Sequence, residues 1–302
     1  MITVFGSINV DLVCRVRKAP VPGETVLGSD YALIPGGKGA NQALAAARAG
    51  ASVRMVGAIG DDDIGKVALA ELGPGGVDLS AVASRHGTTG VAIITVDDHG
   101  ENTIVVSPGA NASVRAGQIP ADGLADADTL LLQLEVPQAE VFAAARIAHD
   151  RGARVVLSVA PFAPFTPDEL ADIDIVVVNE HEAADFARHL GLPHGDPEET
   201  VTGLAATLGR TVIATLGPDG AIAAGDAAGP EGVIRVPALA VTPVDTTGAG
   251  DTFAGVLAAR LDEGRGLREA MALAAVAGSL ACTKHGAQPS FPTRAAIEAA
   301  AG

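Results

Sequence analysis

Apolar and polar positions follow two alternating rhythms along most of the chain. Short apolar runs typical of buried strands are followed by longer segments in which apolar residues recur at helical spacing. The apolar runs lie at 2–6, 53–60, 129–134, 154–160, 174–179 and 211–217, and the helical patterns include 38–49, 62–73 and 138–150. Alternation of this kind predicts a doubly wound α/β fold, in which a mainly parallel sheet has helices on both faces.

A different pattern appears in the first third of the chain. The segment GVAIITVDDHGENTIVV (90–106) has two β-rich arms joined by DDHG, which indicates a hairpin. Two further segments, near 10–17 and 25–35, have extended character around a proline-rich loop. We therefore expect one α/β domain over 1–302, with a small separate β-sheet built from about 10–17, 25–35 and 88–107.

Charge and composition exclude several classes of protein. Of the 302 residues, 20 are Lys or Arg and 36 are Asp or Glu, which gives a formal charge of −16. Such a surface is a poor match for a nucleic-acid backbone, so we expect no nucleic-acid partner. The N-terminus has no signal-peptide pattern, and the uncharged stretch 270–283 is shorter than the ~20 residues that a membrane span needs. We expect a cytoplasmic protein without membrane contact.

Motifs of other enzyme classes are missing from the sequence. HEAADFARH (181–189) is not a zinc-protease motif, because Asp185 stands where HExxH needs histidine. No G-x-G-x-x-G occurs, and Lys38 is followed by glycine where a P-loop has Ser or Thr. Cys14 and Cys282 have no partner at zinc spacing, so we expect them to be reduced and inert.

The segment VDTTGAGDTFAG (244–255) carries the most chemistry. Apolar residues recur at helical spacing after Asp251, so Gly248-Ala249-Gly250 is the turn into a helix. Free N–H groups and the helix dipole make such a place an anion site. A carboxylate there repels a phosphate, but it is useful as a general base for an attacking hydroxyl. Taken alone, the motif is also compatible with an ordinary acidic helix cap.

Two other segments place polar side chains at strand ends. In PGGKGANQALAAARAG (35–50) a flexible glycine loop enters a helix, with Lys38 and Asn41 near its start. In GSINVD (6–11), Asn9 and Asp11 alternate with apolar residues and therefore point to one face. An amide and an acid at a strand end suit a polyhydroxyl ligand. A plain turn and a solvated strand end are the alternatives for these two segments in isolation.

Taken together and in order, these segments resemble the ribokinase/PfkB family of sugar kinases. The resemblance covers nearly the whole chain, and the long forms GGKGANQA and GAQPS favour the ribokinase branch. The matching segments are GSINVDLV, PGETV, GGKGANQA, IGDDDIG, TTGVAIITV, GENTIVVSPGAN, LLLQLEVP, VNEHEA, TLGPDG, VDTTGAGDTFAG and TKHGAQPS.

The resemblance implies a reaction and a role for each matching residue. It implies transfer of the γ-phosphate of ATP to the 5-hydroxyl of D-ribose, with Asp251 as the general base and the amides of Gly248, Ala249 and Gly250 as an anion hole. The implied sugar-binding residues, besides Asp251, are Asn9, Asp11, Gly37, Lys38, Asn41 and Glu135. The implied nucleotide-binding residues are Asn179, Thr215, Gly217, Gly220 and Gly250.

The resemblance also implies metal ions and a partner subunit. Glu182 would hold Mg²⁺ through water. An activating monovalent cation, K⁺, would be bound by the loop residues Asp245, Thr247, Ala281, Lys284, Gly286 and Ser290. The small β-sheet would be a lid over the sugar and would pair two copies of the chain as a homodimer.

The chain departs from the family pattern at two places. Ser158 and Val159 stand where ribokinases usually carry Asn-Pro, and LAAVAGSLA has alanine where the family often has His or Asn beside the adenine. These departures concern nucleotide contacts. A kinase for another sugar or a nucleoside (deoxyribose, fructose, adenosine) and a catalytically silent sugar sensor stay as alternative hypotheses.

Overall fold

The computed structural model describes residues 1–122, 124–125 and 127–302. The strands are β1 Ile2–Phe5, β2 Asn9–Arg15, β3 Ala32–Gly36, β4 Val53–Gly60, β5 Val77–Arg85, β6 Gly90–Val96, β7 Asn102–Ser107, β8 Thr129–Leu132, β9 Arg154–Ser158, β10 Ile175–Asn179, β11 Thr211–Thr215, β12 Ala221–Ala224 and β13 Val233–Val236. The helices are α1 Lys38–Arg48, α2 Ile64–Ala68, α3 Gln138–His149, α4 Glu180–His189, α5 Pro197–Leu208, α6 Ala249–Asp262, α7 Leu267–Ala281 and α8 Arg294–Ala301.

Within these residues the strands form two sheets. The larger has nine strands in the order β13-β12-β11-β10-β9-β8-β1-β4-β5, and the smaller has four in the order β3-β2-β6-β7. Only the β11–β12 and β12–β13 pairs of the larger sheet are antiparallel. The predicted α/β class, with a mainly parallel sheet and a small separate β-sheet, is confirmed.

Helices cover both faces of the larger sheet because its strands are apolar on both sides. In β8, Leu131 packs into a core shared with α1, α6, α7 and α8. Its neighbours Leu130 and Leu132 point to the opposite face and pack into a second core shared with α3, α4 and α5. All three leucines are 0% exposed. Among the residues described, no helix is both long and apolar enough to cross a membrane.

Three strands and one helix end differ from the sequence predictions. The strands β5, β12 and β13 were not predicted, and the helix predicted at 62–73 is limited to α2, Ile64–Ala68. After α2 the chain closes in tighter turns, with Leu72 N bonded to Leu69 O and Gly75 N to Glu71 O. These turns bury Leu72 completely and bring Gly75 against Leu44. Tertiary packing therefore overrides the helical pattern there.

Candidate active site

Helix α6 begins beside the glycine turn that the sequence singled out. Gly248 is its N-cap with φ 76° and ψ 4°, a left-handed conformation that glycine adopts without strain. A Cβ on Gly248 would also lie 2.9 Å from Cβ of Ala287. Asp251 lies in the first turn of the helix, and its side chain is only 9% exposed.

Two amide side chains from α1 hold the Asp251 carboxylate. Asn41 Nδ2 donates to Oδ2 at 2.9 Å, and Gln42 Nε2 donates to Oδ1 at 3.0 Å. The two helices pack closely, because a Cβ on Gly255 of α6 would lie 2.5 Å from the Gln42 carbonyl oxygen. Burial raises the pKa of Asp251, while Lys38 and the two amides oppose that shift.

Each of these amides is held in turn by a second buried glutamine. Gln133 Nε2 donates to Gln42 Oε1 at 2.6 Å, and Gln288 Nε2 donates to Asn41 Oδ1 at 3.1 Å. Gln42, Gln133 and Gln288 are each 0% exposed. The sequence analysis did not identify these three glutamines. The available signal was a polar residue inside apolar or small-residue surroundings, as in LLLQLE.

Lys38 and three other carboxylates share the space in front of Asp251. Glu135 Oε2 accepts hydrogen bonds from Lys38 N at 3.0 Å and from Ser7 Oγ at 2.6 Å. Burial lowers the pKa of Lys38, but attraction to Asp251, Glu135, Glu182 and Asp11 outweighs it and the pKa is raised. Burial, together with repulsion by Glu135 and Asp251, raises the pKa of Asp11 to about 6. The structure thus brings together the predicted residues Asp11, Lys38, Asn41, Glu135, Glu182 and Asp251.

Asn9 and Asp11 lie on one face of β2, where Gly36 at the end of β3 and the following Gly37 pass close by. A Cβ on Gly37 would be 2.7 Å from Asn9 N, and a Cβ on Gly36 would be 2.7 Å from Asp11 Oδ1. Gly37 has φ 89°, which also favours glycine. Asn9 Oδ1 accepts a hydrogen bond from Asn111 Nδ2 at 2.6 Å. Asn111 was not identified from the sequence.

A cavity of about 480 Å³ lies on the other side of the α6 N-terminus. Four of the residues predicted to bind nucleotide line it, namely Thr215, Gly217, Gly220 and Gly250. The fifth, Asn179, is not among the lining residues. The rest of the cavity wall consists mainly of small or apolar residues: Pro218, Ala238, Leu239, Ala240, Val241, Pro243, Phe253, Ala275 and Gly278.

The backbone amides at the start of α6 differ in their partners. The first N–H groups of a helix have no acceptor within the helix. Ala249 N donates to Thr246 O at 3.2 Å, whereas Gly248 N and Gly250 N have no acceptor in the part of the chain that the structure describes. Gly250 has nothing within 4 Å of an added Cβ. Two free donors and open space therefore meet between Asp251 and the cavity.

Asn179 and Glu182 form the N-terminal cap of α4. Asn179 Oδ1 accepts from Glu182 N, and Glu182 Oε2 accepts from Asn179 N, both at 2.8 Å. No group of three or more His, Cys, Asp or Glu could hold a metal ion among the residues described. Glu182 alone therefore suits Mg²⁺ only when the ion keeps waters and phosphate ligands, which is its usual behaviour.

The predicted monovalent-cation loop is tied together by Asp245. Its Oδ1 accepts from Thr247 N at 2.9 Å, and its Oδ2 accepts from Gly286 N at 2.8 Å. Burial raises the pKa of Asp245, but these hydrogen bonds outweigh it and the pKa is lowered. An ionised carboxylate is a ligand that fits a hard cation such as K⁺, and main-chain carbonyls of the loop would complete the set of ligands.

The other predicted loop residues lie nearby but have different contacts. Ala281 ends α7, and its carbonyl accepts from Lys284 N at 3.4 Å. Ser290 is 1% exposed and its hydroxyl donates to Ala287 O at 2.7 Å. The structure therefore joins Asp245, Thr247 and Gly286 by direct hydrogen bonds, whereas the hydrogen bonds given above for Ala281, Lys284 and Ser290 do not reach Asp245.

The fold and the site define a kinase of the carbohydrate class. The model of the pfkB family of carbohydrate kinases matches residues 1–294, so the chain belongs to this family. The family resemblance stated from the sequence is confirmed.

Individual relatives are ribokinases. The ribokinase of Haemophilus influenzae is 38% identical over 299 residues, which are 97% of this chain and 95% of that protein. The ribokinase of Bacillus subtilis is 36% identical over 300 residues, 98% of each chain.

Solved structures agree with these relatives. Ribokinase from Thermotoga maritima superposes with a TM-score of 0.90 at 32% identity, covering 99% of this chain and 98% of that one. Arabidopsis thaliana ribokinase complexed with ribose and ATP superposes with a TM-score of 0.89 at 31% identity and the same coverage.

Proposed function

We propose that this protein transfers the γ-phosphate of ATP to the 5-hydroxyl of D-ribose, giving ribose 5-phosphate and ADP. One observation carries the proposal: the buried Asp251 carboxylate lies beside free helix amides, between a polar pocket and the cavity of about 480 Å³. The identity of the sugar is inferred from the relatives, which include ribokinases at 36–38% identity and a ribokinase complexed with ribose and ATP.

In the proposed reaction Asp251 is the general base. Its carboxylate takes the proton of the 5-hydroxyl as the oxygen attacks the γ-phosphorus, and the bond from that phosphorus to the bridging oxygen of ADP breaks. The amides of Gly248 and Gly250 and the positive end of α6 stabilise the charge on the transferred group. Ala249 N joins them after releasing its 3.2 Å contact with Thr246 O.

The polar pocket in front of Asp251 binds the sugar. Asp11, Asn9 and Lys38 supply acceptors and donors for hydroxyl groups, and Gly37 lets the backbone approach the ring. Glu135 keeps Oε1 for the sugar, because Oε2 already accepts from Lys38 N and Ser7 Oγ. Lys38 also limits the mutual repulsion of the carboxylates, since it attracts each of them.

The nucleotide occupies the cavity lined by Thr215, Gly217, Gly220 and Gly250, with Asn179 and Glu182 beside its phosphates. Mg²⁺ neutralises phosphate charge when it is bound, and Glu182 would hold it through water. Asp245 and the carbonyls of its loop would hold K⁺. The loop contacts the helix turn, because Ala287 packs within reach of Gly248.

The small sheet is the lid of the sugar pocket and pairs two copies of the chain. It presents exposed apolar side chains on both faces: Leu33, Ile93, Ile104, Val105 and Val106, which are 37–60% exposed. Exposed strand edges and apolar sheet faces are commonly covered by a partner. A cytoplasmic location stays a prediction of the sequence.

The test is ADP release with Mg·ATP over a panel of acceptors, each with and without K⁺. The panel contains ribose, deoxyribose, fructose, fructose 6-phosphate, adenosine and buffer. We expect ribose to have the highest kcat/KM, with stimulation by K⁺. A higher value for another acceptor overturns the sugar and keeps the phosphoryl transfer. Ribose binding with no ADP formation from any acceptor overturns the kinase and supports a sensor.

A further inference from the structure

Two buried glutamines lie behind the amides that contact Asp251, and the proposed reaction gives them no role. Gln133 directly follows β8, and Gln288 lies in the loop before α8. Both side chains are 0% exposed. The loop carrying Gln288 is fastened to α1, because the Arg48 guanidinium donates to the Gln288 carbonyl oxygen. Both glutamines are therefore fixed parts of the site.

Two series of hydrogen bonds, here called arms, lead from the outer glutamines to Asp251. In both arms each amide donates toward the carboxylate. In one arm Gln133 donates to Gln42, which donates to Asp251. In the other arm Gln288 donates to Asn41, which donates to Asp251. Because the outer amide occupies the oxygen of the inner amide, the inner NH₂ group is the part left to face the carboxylate. A flipped inner amide would place its oxygen against a carboxylate oxygen at one end and its NH₂ group against the NH₂ group of the outer amide at the other.

This arrangement is unfavourable for packing alone. Gln133 Oε1 and Gln288 Oε1 are buried and have no hydrogen-bond partner among the residues described. An unpaired buried acceptor destabilises a fold. The chain also keeps glycine where Gln133 needs space, since a Cβ on Gly6 would lie 1.9 Å from Gln133 Oε1. Apolar side chains would fill the same positions without this cost, so the two glutamines serve the carboxylate.

We infer that Gln133 and Gln288 are positioning residues for phosphoryl transfer, which orient Gln42 and Asn41 so that the Asp251 carboxylate stays ionised and directed at the acceptor hydroxyl. The inference rests on the proposed function, in which Asp251 is the base. Neither glutamine contacts Asp251, and each acts through one amide of α1.

The charged groups around Asp251 set the sign of the expected pH effect. Lys38 favours the ionised form, whereas Glu135, Asp11 and Glu182 disfavour it. Against this background the two amide N–H groups lower the pKa of Asp251. Weakening either arm therefore raises that pKa. Since the base must be ionised, the acidic limb of the pH–kcat profile moves to higher pH.

The test uses Gln133→Met and Gln288→Met, which keep the length of the side chain and remove its polar atoms. Gln118→Met is the matched control, because Gln118 donates to the Gly57 carbonyl oxygen at 3.1 Å and belongs to neither arm. We expect kcat to fall roughly tenfold in each arm variant and the acidic limb to rise by about half a pH unit, with the control unchanged. For Gln133→Met, the KM for ribose should stay at the wild-type value.

A double-mutant cycle separates positioning from general damage. Gln42→Met combined with Gln133→Met should lose no more activity than Gln42→Met alone, because Gln133 acts through Gln42. An acidic limb that stays at the wild-type pH in both arm variants overturns the inference. The inference is also overturned if the losses of activity are additive in the double variant and parallel the losses in melting temperature.

A titration without substrate separates this inference from the proposed function. The ¹³C signal of the Asp251 carboxylate, assigned by its loss in Asp251→Asn, reports the pKa directly. A raised pKa in both arm variants supports positioning even if the wild type prefers an acceptor other than ribose, and the kinetics are then repeated with that acceptor. An unchanged pKa in an enzyme that phosphorylates ribose overturns positioning and leaves the function intact.

Discussion

Asn41 Nδ2 lies 2.9 Å from Oδ2 of Asp251, although 210 positions separate the two residues in the chain. The contact joins the N-terminal turns of α1 and α6, and each of these helices begins at a glycine loop. It gives the buried carboxylate a hydrogen-bond donor within the folded protein. The carboxylate is therefore hydrogen-bonded in the folded protein, and in the proposed reaction it accepts the proton of the acceptor hydroxyl.

The first prediction concerns the base. Asp251→Asn should lower kcat by about 10³-fold or more, because general-base catalysis contributes at this scale. The melting temperature should change little, since the loss of a buried charge offsets the contact of the new NH₂ group with the NH₂ group of Asn41 or Gln42. Steady-state kinetics and thermal unfolding check both parts. The control is Asp98→Asn, at an exposed position of the hairpin loop, which should leave kcat unchanged. Turnover of the Asp251 variant near the wild-type rate would rule out the base.

The second prediction concerns Asp11, whose pKa rises from 3.8 to about 6 in the fold. Between these values the folded protein binds more protons than the unfolded chain, so stability falls as pH rises through the window. At 1.4 kcal/mol per pH unit the loss above pH 6 is about 3 kcal/mol. The Asp11→Asn substitution removes this loss of stability, because asparagine does not ionise. We expect the variant to be more stable than wild type at pH 8 and equal to it at pH 4.

Thermal unfolding of both proteins at pH 4, 6 and 8 checks the Asp11 prediction. Asp98→Asn should show no such pH-dependent difference. The Asn variant should also bind ribose more weakly by calorimetry, because Asp11 is proposed to hold sugar hydroxyls. A stability difference that is the same at pH 4 and pH 8 would contradict the raised pKa of Asp11.

The sequence predicted the class of the fold because the strands of the larger sheet are continuous apolar runs. It did not predict β12 and β13, since AIAA and VIRV are four-residue strands whose identity depends on antiparallel pairing, of β12 with β11 and of β13 with β12. It did not predict β5 either, where VDLSAVASR mixes small, polar and apolar residues at the edge of the sheet. Such strands are defined by their neighbours rather than by their own pattern.

The site was predicted unevenly for a similar reason. Asp251, Asn41 and Lys38 stand in segments whose glycines and polar residues are unusual along the sequence. Gln133 and Gln288 are recognisable only once the fold brings their amides to α1 from positions 91 and 247 residues away. Contacts of this range carry no local signal.

The third prediction compares alanine substitutions at two glycines of the same turn. Gly248→Ala should destabilise the fold by about 1–3 kcal/mol, because φ is 76° and the new methyl meets Ala287 and Phe291. Gly250→Ala should be neutral or stabilising by up to about 1 kcal/mol, since it lies in the helix with nothing near its Cβ. The same methyl enters the proposed phosphate path, so kcat of Gly250→Ala should fall. Denaturant unfolding and kinetics of the two variants form the matched comparison. Full activity of Gly250→Ala would argue against an anion hole at this turn.

The fourth prediction concerns the cation loop. KCl should raise both kcat and the melting temperature relative to tetramethylammonium chloride at equal ionic strength, because a cation that binds only the folded protein stabilises it. Asp245→Asn should lose both effects, since Asp245 is the carboxylate of the proposed site. Glu24→Gln, an exposed charge in the loop between β2 and β3, is the control. A melting temperature of the wild type that does not respond to K⁺ would remove the cation from the proposal.

The last prediction concerns the subunit contact. Ile104 and Val105 are neighbours in β7 and point to opposite faces of the small sheet, with exposures of 50% and 60%. Val105 aligns with Ile93 of β6, which aligns with Leu12 of β2, so one face carries an apolar row across the sheet. Ile104 shares its face with Asp11 and therefore lies on the side of the proposed sugar pocket.

Sedimentation at micromolar concentration decides whether and where two copies pair. Wild type should be a dimer, and a lysine at the paired face should produce a monomer because it buries an unpaired charge. Val105→Lys and Ile104→Lys are each other's controls, since only one face is covered by the partner. A dimer that survives one substitution and not the other identifies the face. A monomeric wild type, or a dimer that persists in both variants, would place the contact outside the small sheet or remove it altogether.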